Sequence, residues 1–157
     1  MEKKDLKPAG VFKYFEEICQ VPRPSKKEEK IIAYLKAFGA KHNLETKVDE
    51  AGNVLIKKPA TPGKENLQTV VLQSHIDMVC EKNNDVQHDF LTDPIETEID
   101  GEWLKAKGTT LGADNGIGVA TELAILSDDS IEHGPLECLF TVDEETGLTG
   151  AFALIFC

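Results

Sequence analysis

Three short polar motifs hold the side chains of this chain that are best suited to chemistry. They are Ser74–Val79, Leu111–Gly116 and Thr141–Gly147. The first and third follow apolar runs, and the second begins an apolar segment of helical length. Together they offer imidazole nitrogens and carboxylate oxygens, which are the ligands that zinc and its neighbours take from proteins. The sequence therefore predicts a divalent-metal site if the fold brings the motifs together.

His75 and Asp77 are separated by one residue at the end of an apolar run. In a strand such residues share a face. The Asp77 carboxylate could then accept a hydrogen bond from one imidazole nitrogen while the other nitrogen binds a metal. A buried histidine paired with an aspartate for structural reasons would give the same pattern, and this motif by itself favours that simpler interpretation.

Asp114 lies between Gly112 and Gly116 at the start of an apolar segment. It could cap a helix N-terminus, or it could bridge two cations with its two oxygens. A phosphate-binding loop is excluded because no Gly-Lys-Ser/Thr follows. A dinucleotide-binding motif is excluded because the glycine spacing differs and an acid stands at the anion position.

Glu144 and Glu145 are adjacent carboxylates, so each needs a reason to stay charged or a raised pKa. One could bind a metal while its neighbour accepts a proton from activated water. A solvated acidic loop is the alternative. Any one of the three motifs could arise by chance, but all three at element boundaries indicate part of a two-metal hydrolase.

Alternating strands and helices around the motifs predict an α/β fold. The helices are expected over 8–19, from a Ser25–Glu28 capping box to about residue 43, over 115–126, and from 148. Strands buried on both faces are expected at 69–72 and 136–142. Hairpins are expected over 44–57, and over 96–105 across an Asp-Gly turn.

Composition is that of one soluble globular domain, with 41% hydrophobic and 29% charged residues. The net charge of −11 argues against a nucleic-acid partner. No apolar run reaches membrane-spanning length and no signal peptide is recognisable, so we expect a cytoplasmic protein without a membrane partner. The four cysteines, Cys157 among them, are scattered and receive no role.

The three motifs resemble those of the di-zinc dipeptidases of the aminoacylase/carnosinase superfamily. Pro22–Ser25 and Asp100–Leu104 are similar to the subfamily of aminoacyl-histidine (Xaa-His) dipeptidases. Related deacylases usually carry Asp-Met-Lys-Gly or Asp-Thr-Lys-Gly where this chain has Asp114-Asn115-Gly116. The resemblance covers nearly the whole chain and implies a zinc-exopeptidase-like fold, in which helices flank a mixed, largely parallel sheet.

The resemblance also implies residue roles. His75 would bind one zinc, Glu145 the other, and Asp114 would bridge the two ions, which could also be cobalt or manganese. Asp77 would orient His75, and Glu144 would be the general base. A cis peptide bond is expected after Asp114. The implied substrate is a short peptide, in this subfamily a dipeptide with histidine second.

Such peptidases need two further ligands and an inserted lid domain that lie downstream of the matched motifs. We therefore interpret residues 1–157 as the N-terminal part of the catalytic metallopeptidase domain, truncated, weakly active or inactive alone, and prone to self-association through an incomplete sheet. A non-catalytic metal- or peptide-binding relic is one alternative. A related deacylase or aminotripeptidase is another, although the Asp114–Gly116 turn argues against it.

Overall fold

The computed structural model describes residues 2–154; Met1 and residues 155–157, including Cys157, lie outside the described part. The helices are α1 (Ala9–Cys19), α2 (Glu29–Lys41), α3 (Ala113–Ser127) and the short α4 (Thr149–Phe152). The strands are β1 (Glu45–Val48), β2 (Val54–Lys58), β3 (Val70–His75), β4 (Thr97–Asp100), β5 (Trp103–Ala106) and β6 (Leu136–Thr141). The predicted elements are thus present, with shifted ends.

The main sheet has the strand order β1-β2-β6-β3. β3 pairs with β6 in parallel, whereas β1 with β2 and β2 with β6 are antiparallel. The α/β class with a mixed sheet is confirmed. Within residues 2–154, however, parallel pairing is limited to β3 and β6, because the β1–β2 turn reverses the chain before β2 joins the sheet. Strands β4 and β5 form a separate hairpin, as the Asp-Gly turn predicts.

The hydrophobic core lies between the helices and the sheet. Helix α3 packs against both α1 and β3, while α2 lies over β1 and β2. A fully buried large apolar side chain contributes about 1.5–3 kcal/mol through the hydrophobic effect, and this core contains many: Phe15, Ile18, Leu35, Ile56, Leu123 and Phe140. Helix α3 is buried on one face only and not all round, as its apolar sequence had suggested: six of its 15 residues are buried, whereas Ile117 is 40% exposed. Among residues 2–154, every helix is too short or too polar to cross a bilayer.

Two sequence predictions are wrong in detail. Strand β3 is not buried on both faces: Val70 and Val71 are 49% and 56% exposed, because β3 forms an edge of the sheet within the described residues. The capping box is also absent. Helix α2 begins at Glu29, and the side chain of its N-cap residue, Glu28, makes no capping hydrogen bond. Ser25 and Glu28 form hydrogen bonds with more distant residues instead.

Candidate metal centre

The parallel pairing of β3 with β6 places the first and third motifs side by side. His75 is in register with Thr141, so the two strands end at the same edge of the sheet. The chain that leaves β6 turns at once into Glu144 and Glu145. Helix α3, which packs on β3, begins with the second motif at this edge. Open α/β sheets commonly bind ligands at such carboxyl ends.

The side chains of the five predicted site residues meet around the His75 imidazole. Nδ1 of His75 lies 3.3 Å from Oδ1 of Asp77. Nε2 lies 3.0 Å from Oδ1 of Asp114 and 3.9 Å from Oε2 of Glu144. Ligand atoms of His75, Glu144 and Glu145 are all within 4.8 Å of one another. Asp114 and Glu145 line the same small cleft. The structure therefore brings together the residues that the metal-site hypothesis requires.

Asp77 is fully buried and fixes the imidazole from behind. Burial alone would raise the pKa of its carboxyl, but hydrogen bonds from His75, Ser25 and the backbone amides of residues 144 and 145 hold the pKa well below its usual range. Burial likewise lowers the pKa of His75, but the hydrogen bonds to Asp77 and Asp114 and the nearby negative charges outweigh it and raise the pKa to about 9. An ionised Asp77 thus directs Nε2 towards the other carboxylates.

The composition of the cluster fits a divalent cation. Burial raises the pKa of Glu145; His75 partly lowers it, while Glu144, Asp114 and Asp77 raise it further. Glu145 is thus surrounded by one imidazole and three carboxylates. A bound cation would balance this excess of negative charge. The Asp114 side chain is 89% exposed, which leaves its oxygens accessible. One imidazole nitrogen among carboxylate oxygens is a donor set that suits zinc, cobalt or manganese.

A buried arginine that the sequence interpretation missed holds the first two motifs together. Arg23 is 3% exposed. Its guanidinium donates hydrogen bonds to the carbonyl oxygens of Ile76 and Asp77, both at 3.2 Å, and to that of Gly112 at 2.6 Å. Gly112 has the left-handed φ of +67°, and the Asp114–Asn115 peptide bond is cis, as the resemblance implies.

Ser25 and Glu28 were missed as well. The Ser25 hydroxyl donates to Oδ2 of Asp77 at 2.7 Å, and Oε1 of Glu28 accepts the Asp143 amide at 2.9 Å. Their spacing satisfied the capping-box pattern, which concealed any other role. The available sequence signal for these supporting residues was an arginine between two prolines. Because proline interrupts helices and sheets, an arginine held there is a candidate for a specific structural contact.

A cleft of about 490 Å³ opens beside the cluster. Four of the residues that line it are His75, Asp114, Thr141 and Glu144; the others are Gln73, Asn115, Val142, Leu148, Ala151 and Leu154. A lining that combines polar and apolar side chains is typical of small-molecule sites.

Comparison with known proteins identifies the family. The model of peptidase family M20/M25/M40 matches residues 71–156, which contain all three motifs. The chain belongs to this peptidase family. An Escherichia coli relative, cytosol non-specific dipeptidase, is 52% identical over 153 residues, covering 98% of this chain and 32% of the relative.

Two solved structures are similar to the chain. The aminoacylhistidine dipeptidase from Vibrio alginolyticus matches with a TM-score of 0.95 and 55% identity, over 98% of this chain and 31% of that one. Aminopeptidase PepT from Bacillus cereus matches with a TM-score of 0.77 and 27% identity, over 93% and 39%. The chain thus spans about a third of the length of these relatives.

Proposed function

We propose that this M20-family chain supplies part of a two-metal active site for the hydrolysis of short peptides. One observation carries the proposal: the His75 imidazole has Nδ1 against buried Asp77 and Nε2 against the exposed Asp114 carboxylate. That arrangement fixes the imidazole ring and directs Nε2 into an acidic cluster, where a bound metal ion would replace its proton. A His–Asp pair with only a structural role would not need the further carboxylates of Asp114 and Glu144 beside Nε2.

In this proposal His75, Asp114 and Glu145 would hold the metal ions, and Asp114 would serve both. Bound zinc, or alternatively cobalt or manganese, would supply Lewis acidity for the scissile carbonyl and the attacking water. Asp77 orients His75. Glu144 is the general base, which accepts a proton from water and returns it to the leaving amine. Its Oε2 lies 3.9 Å from Nε2 of His75, the nitrogen that would bind a metal ion.

The proposed substrate is a dipeptide, with histidine second as the preferred class. The names of two relatives support this proposal, since one is an aminoacylhistidine dipeptidase and the other a non-specific dipeptidase. A related deacylase or aminotripeptidase remains the alternative within the enzymes. The name of the Escherichia coli relative refers to the cytosol, and we extend a cytoplasmic location to this chain as part of the proposal.

We further propose that residues 1–157 form the N-terminal part of the catalytic domain, and that this polypeptide alone has little or no peptidase activity. The relatives with which it shares 52–55% identity are about three times longer, so their sites can draw ligands and substrate contacts from the remainder. A non-catalytic metal- or peptide-binding relic is the rival proposal from another class.

Calorimetric titration with Zn²⁺ tests the metal site. We expect the wild-type chain to bind two ions cooperatively and Asp114→Ala to weaken binding at least about tenfold, because a bridging ligand should matter no less than the outer-shell residues that are worth 10- to 100-fold. Asp85→Ala, which removes an exposed loop carboxylate, is the matched control. Weak binding that Asp114→Ala leaves unchanged would favour the relic. Robust zinc-dependent cleavage of Xaa-His dipeptides would contradict the expected inactivity.

A further inference from the structure

Three consecutive backbone amides at the Glu144–Glu145 turn are bound by two buried carboxylates. Asp77 accepts the amide of Glu144 at 3.0 Å and that of Glu145 at 3.1 Å, one on each of its oxygens. Glu28, which lies immediately before α2, accepts the amide of Asp143 at 2.9 Å. Both acceptors are nearly inaccessible to solvent, with exposures of 0% for Asp77 and 6% for Glu28.

The backbone of residues 143–145 has an unfavourable conformation that these hydrogen bonds stabilise. Asp143 has a φ of +49° and lies in the left-handed region, which non-glycine residues adopt only where their surroundings enforce it. Its side chain is also anchored, because its two oxygens accept the hydroxyls of Thr146 and Thr149, both at 2.5 Å. The direction in which Glu144 and Glu145 project therefore depends on this turn.

Ser25, three residues before Glu28 in the chain, contacts the other buried carboxylate, Asp77. Its hydroxyl donates to Oδ2 of Asp77, the same oxygen that accepts the Glu145 amide. Ser25 and Glu28 are the two residues whose spacing suggested a capping box, yet α2 has no side-chain cap. Their hydrogen-bonding capacity is directed at the metal centre, more than 50 positions along the chain from Ser25 and more than 100 from Glu28.

Glu28, Asp77 and Asp143 are close enough to suggest a second cation site, with ligand atoms within 4.8 Å of one another. The hydrogen bonds argue against it. Each of the three carboxylates already accepts N–H or O–H donors, and burial raises the pKa of Glu28, which reduces the negative charge of the group. The cluster is thus explained by the turn that it holds.

We infer that Glu28 is a positioning residue, which holds the Asp143 amide and, together with Ser25 and Asp77, sets the geometry from which Glu144 and Glu145 reach the metals. The effect on metal binding rests on the proposed two-metal function, whereas the role of Glu28 in holding the turn does not. Loss of the Glu28 acceptor removes the hydrogen bond that holds the Asp143 amide, so the turn that aims the following carboxylates is less firmly fixed.

The test combines amide hydrogen exchange with zinc titration of the full chain. We expect Glu28→Ala to speed exchange at residues 143–145 about fivefold relative to core amides of β2 and β6, the effect of losing one buried hydrogen bond. We expect zinc affinity to fall about 10- to 100-fold, as for other outer-shell residues. Glu28→Gln keeps an oxygen acceptor and should recover most of both properties.

The matched control is Glu29→Ala, which removes an exposed carboxylate from the adjacent position of the same helix end and should change neither readout. If Glu28→Ala speeds exchange uniformly, or Glu29→Ala has the same effect, Glu28 is only structural and the inference is overturned. If the Glu28→Ala chain does not fold, Glu28→Gln becomes the test. Because it keeps an oxygen acceptor, exchange at residues 143–145, relative to the core amides, should stay close to the wild-type rate. Faster exchange confined to these amides would overturn the inference. Failure of the wild type to bind zinc would refute the proposed function, while exchange would still decide the role of Glu28.

Discussion

Glu122 is a buried carboxyl outside the candidate metal centre. It projects from α3 and is 4% exposed, close to Ser74 of β3 and Cys138 of β6. Burial raises the pKa of Glu122 to about 7, and the Ser74 hydroxyl and Cys138 thiol lower it only in part. Among the residues that the structure describes, one Glu122 oxygen has no hydrogen-bond partner. Such a group is stable when protonated and costly when ionised.

This carboxyl should make the stability of the chain depend on pH. A group whose pKa is higher in the folded than in the unfolded chain holds its proton more tightly when folded, so its ionisation favours unfolding. The stabilising contribution of Glu122 is complete below about pH 4.5, which is the pKa of the carboxyl in the unfolded chain. It is lost as the pH rises through about 7, the pKa in the folded chain. The shift corresponds to roughly 3 kcal/mol in the free energy of unfolding.

We expect Glu122→Gln to remove this part of the pH dependence, since an amide does not ionise. Urea unfolding at pH 5 and pH 8 would measure it: the wild type should lose more stability between the two values than the variant. The exposed Glu102→Gln is the control and should resemble the wild type. Equal pH dependence in wild type and Glu122→Gln would show that Glu122 is not the group responsible.

The turn that precedes α3 is built around two close contacts. A Cβ added at Gly112 would lie 2.5 Å from a guanidinium nitrogen of Arg23 and 2.7 Å from the Met78 sulfur. The left-handed φ of +67° adds a conformational preference for glycine. This turn places Asp114 beside His75, so glycine is needed here both for its backbone and for its lack of a side chain.

Gly112→Ala should therefore destabilise the chain and displace Asp114. A non-glycine residue in the left-handed region costs roughly 1–2 kcal/mol, and overpacking adds about 1–3 kcal/mol. Gly63→Ala is the matched control, because Gly63 has a φ of +84° but an added Cβ would meet nothing within 4 Å. Chemical denaturation should show a larger loss of stability for Gly112→Ala than for Gly63→Ala. Equal losses would mean that the Arg23 contact imposes no constraint.

The sheet has an exposed apolar edge that we propose drives self-association. Val70 and Val71 are about half exposed on β3, which pairs on one side with β6 and has no other strand partner among residues 2–154. An unpaired strand with apolar side chains is a template for pairing with another chain. The partner in this proposal is a second copy of the same polypeptide.

Val71→Lys should reduce this association, because a buried ammonium group is unfavourable in an intermolecular sheet. Val48→Lys on β1, at the opposite edge, is the control: Val48 is 41% exposed and should tolerate the charge without changing the association. Both variants should keep the wild-type stability to within about 0.5 kcal/mol. Light scattering across a concentration series would decide, and a wild-type chain that stays monomeric throughout would refute the proposal.

The residues of the candidate centre and most element positions could be predicted from the sequence. His75, Asp77, Asp114, Glu144 and Glu145 each lie where an apolar run meets a polar turn, a local pattern that needs no knowledge of distant contacts. The same local reasoning located α1, α3, β6 and both hairpins. Because residues at strand ends and helix starts converge in α/β sheets, their proximity could also be anticipated.

Only the tertiary structure decided what the connecting side chains do. The Ser25 hydroxyl could cap its own helix or reach Asp77, which lies 52 residues away, and no local pattern distinguishes the two. Leaving the fully buried Asp77 carboxylate without donors would cost more than leaving an exposed helix end to water. The same holds for Arg23 and Glu28, whose partners are backbone groups of other segments. The exposure of β3 likewise depends on which strands flank it, because an apolar run looks the same in the sequence at the centre and at the edge of a sheet.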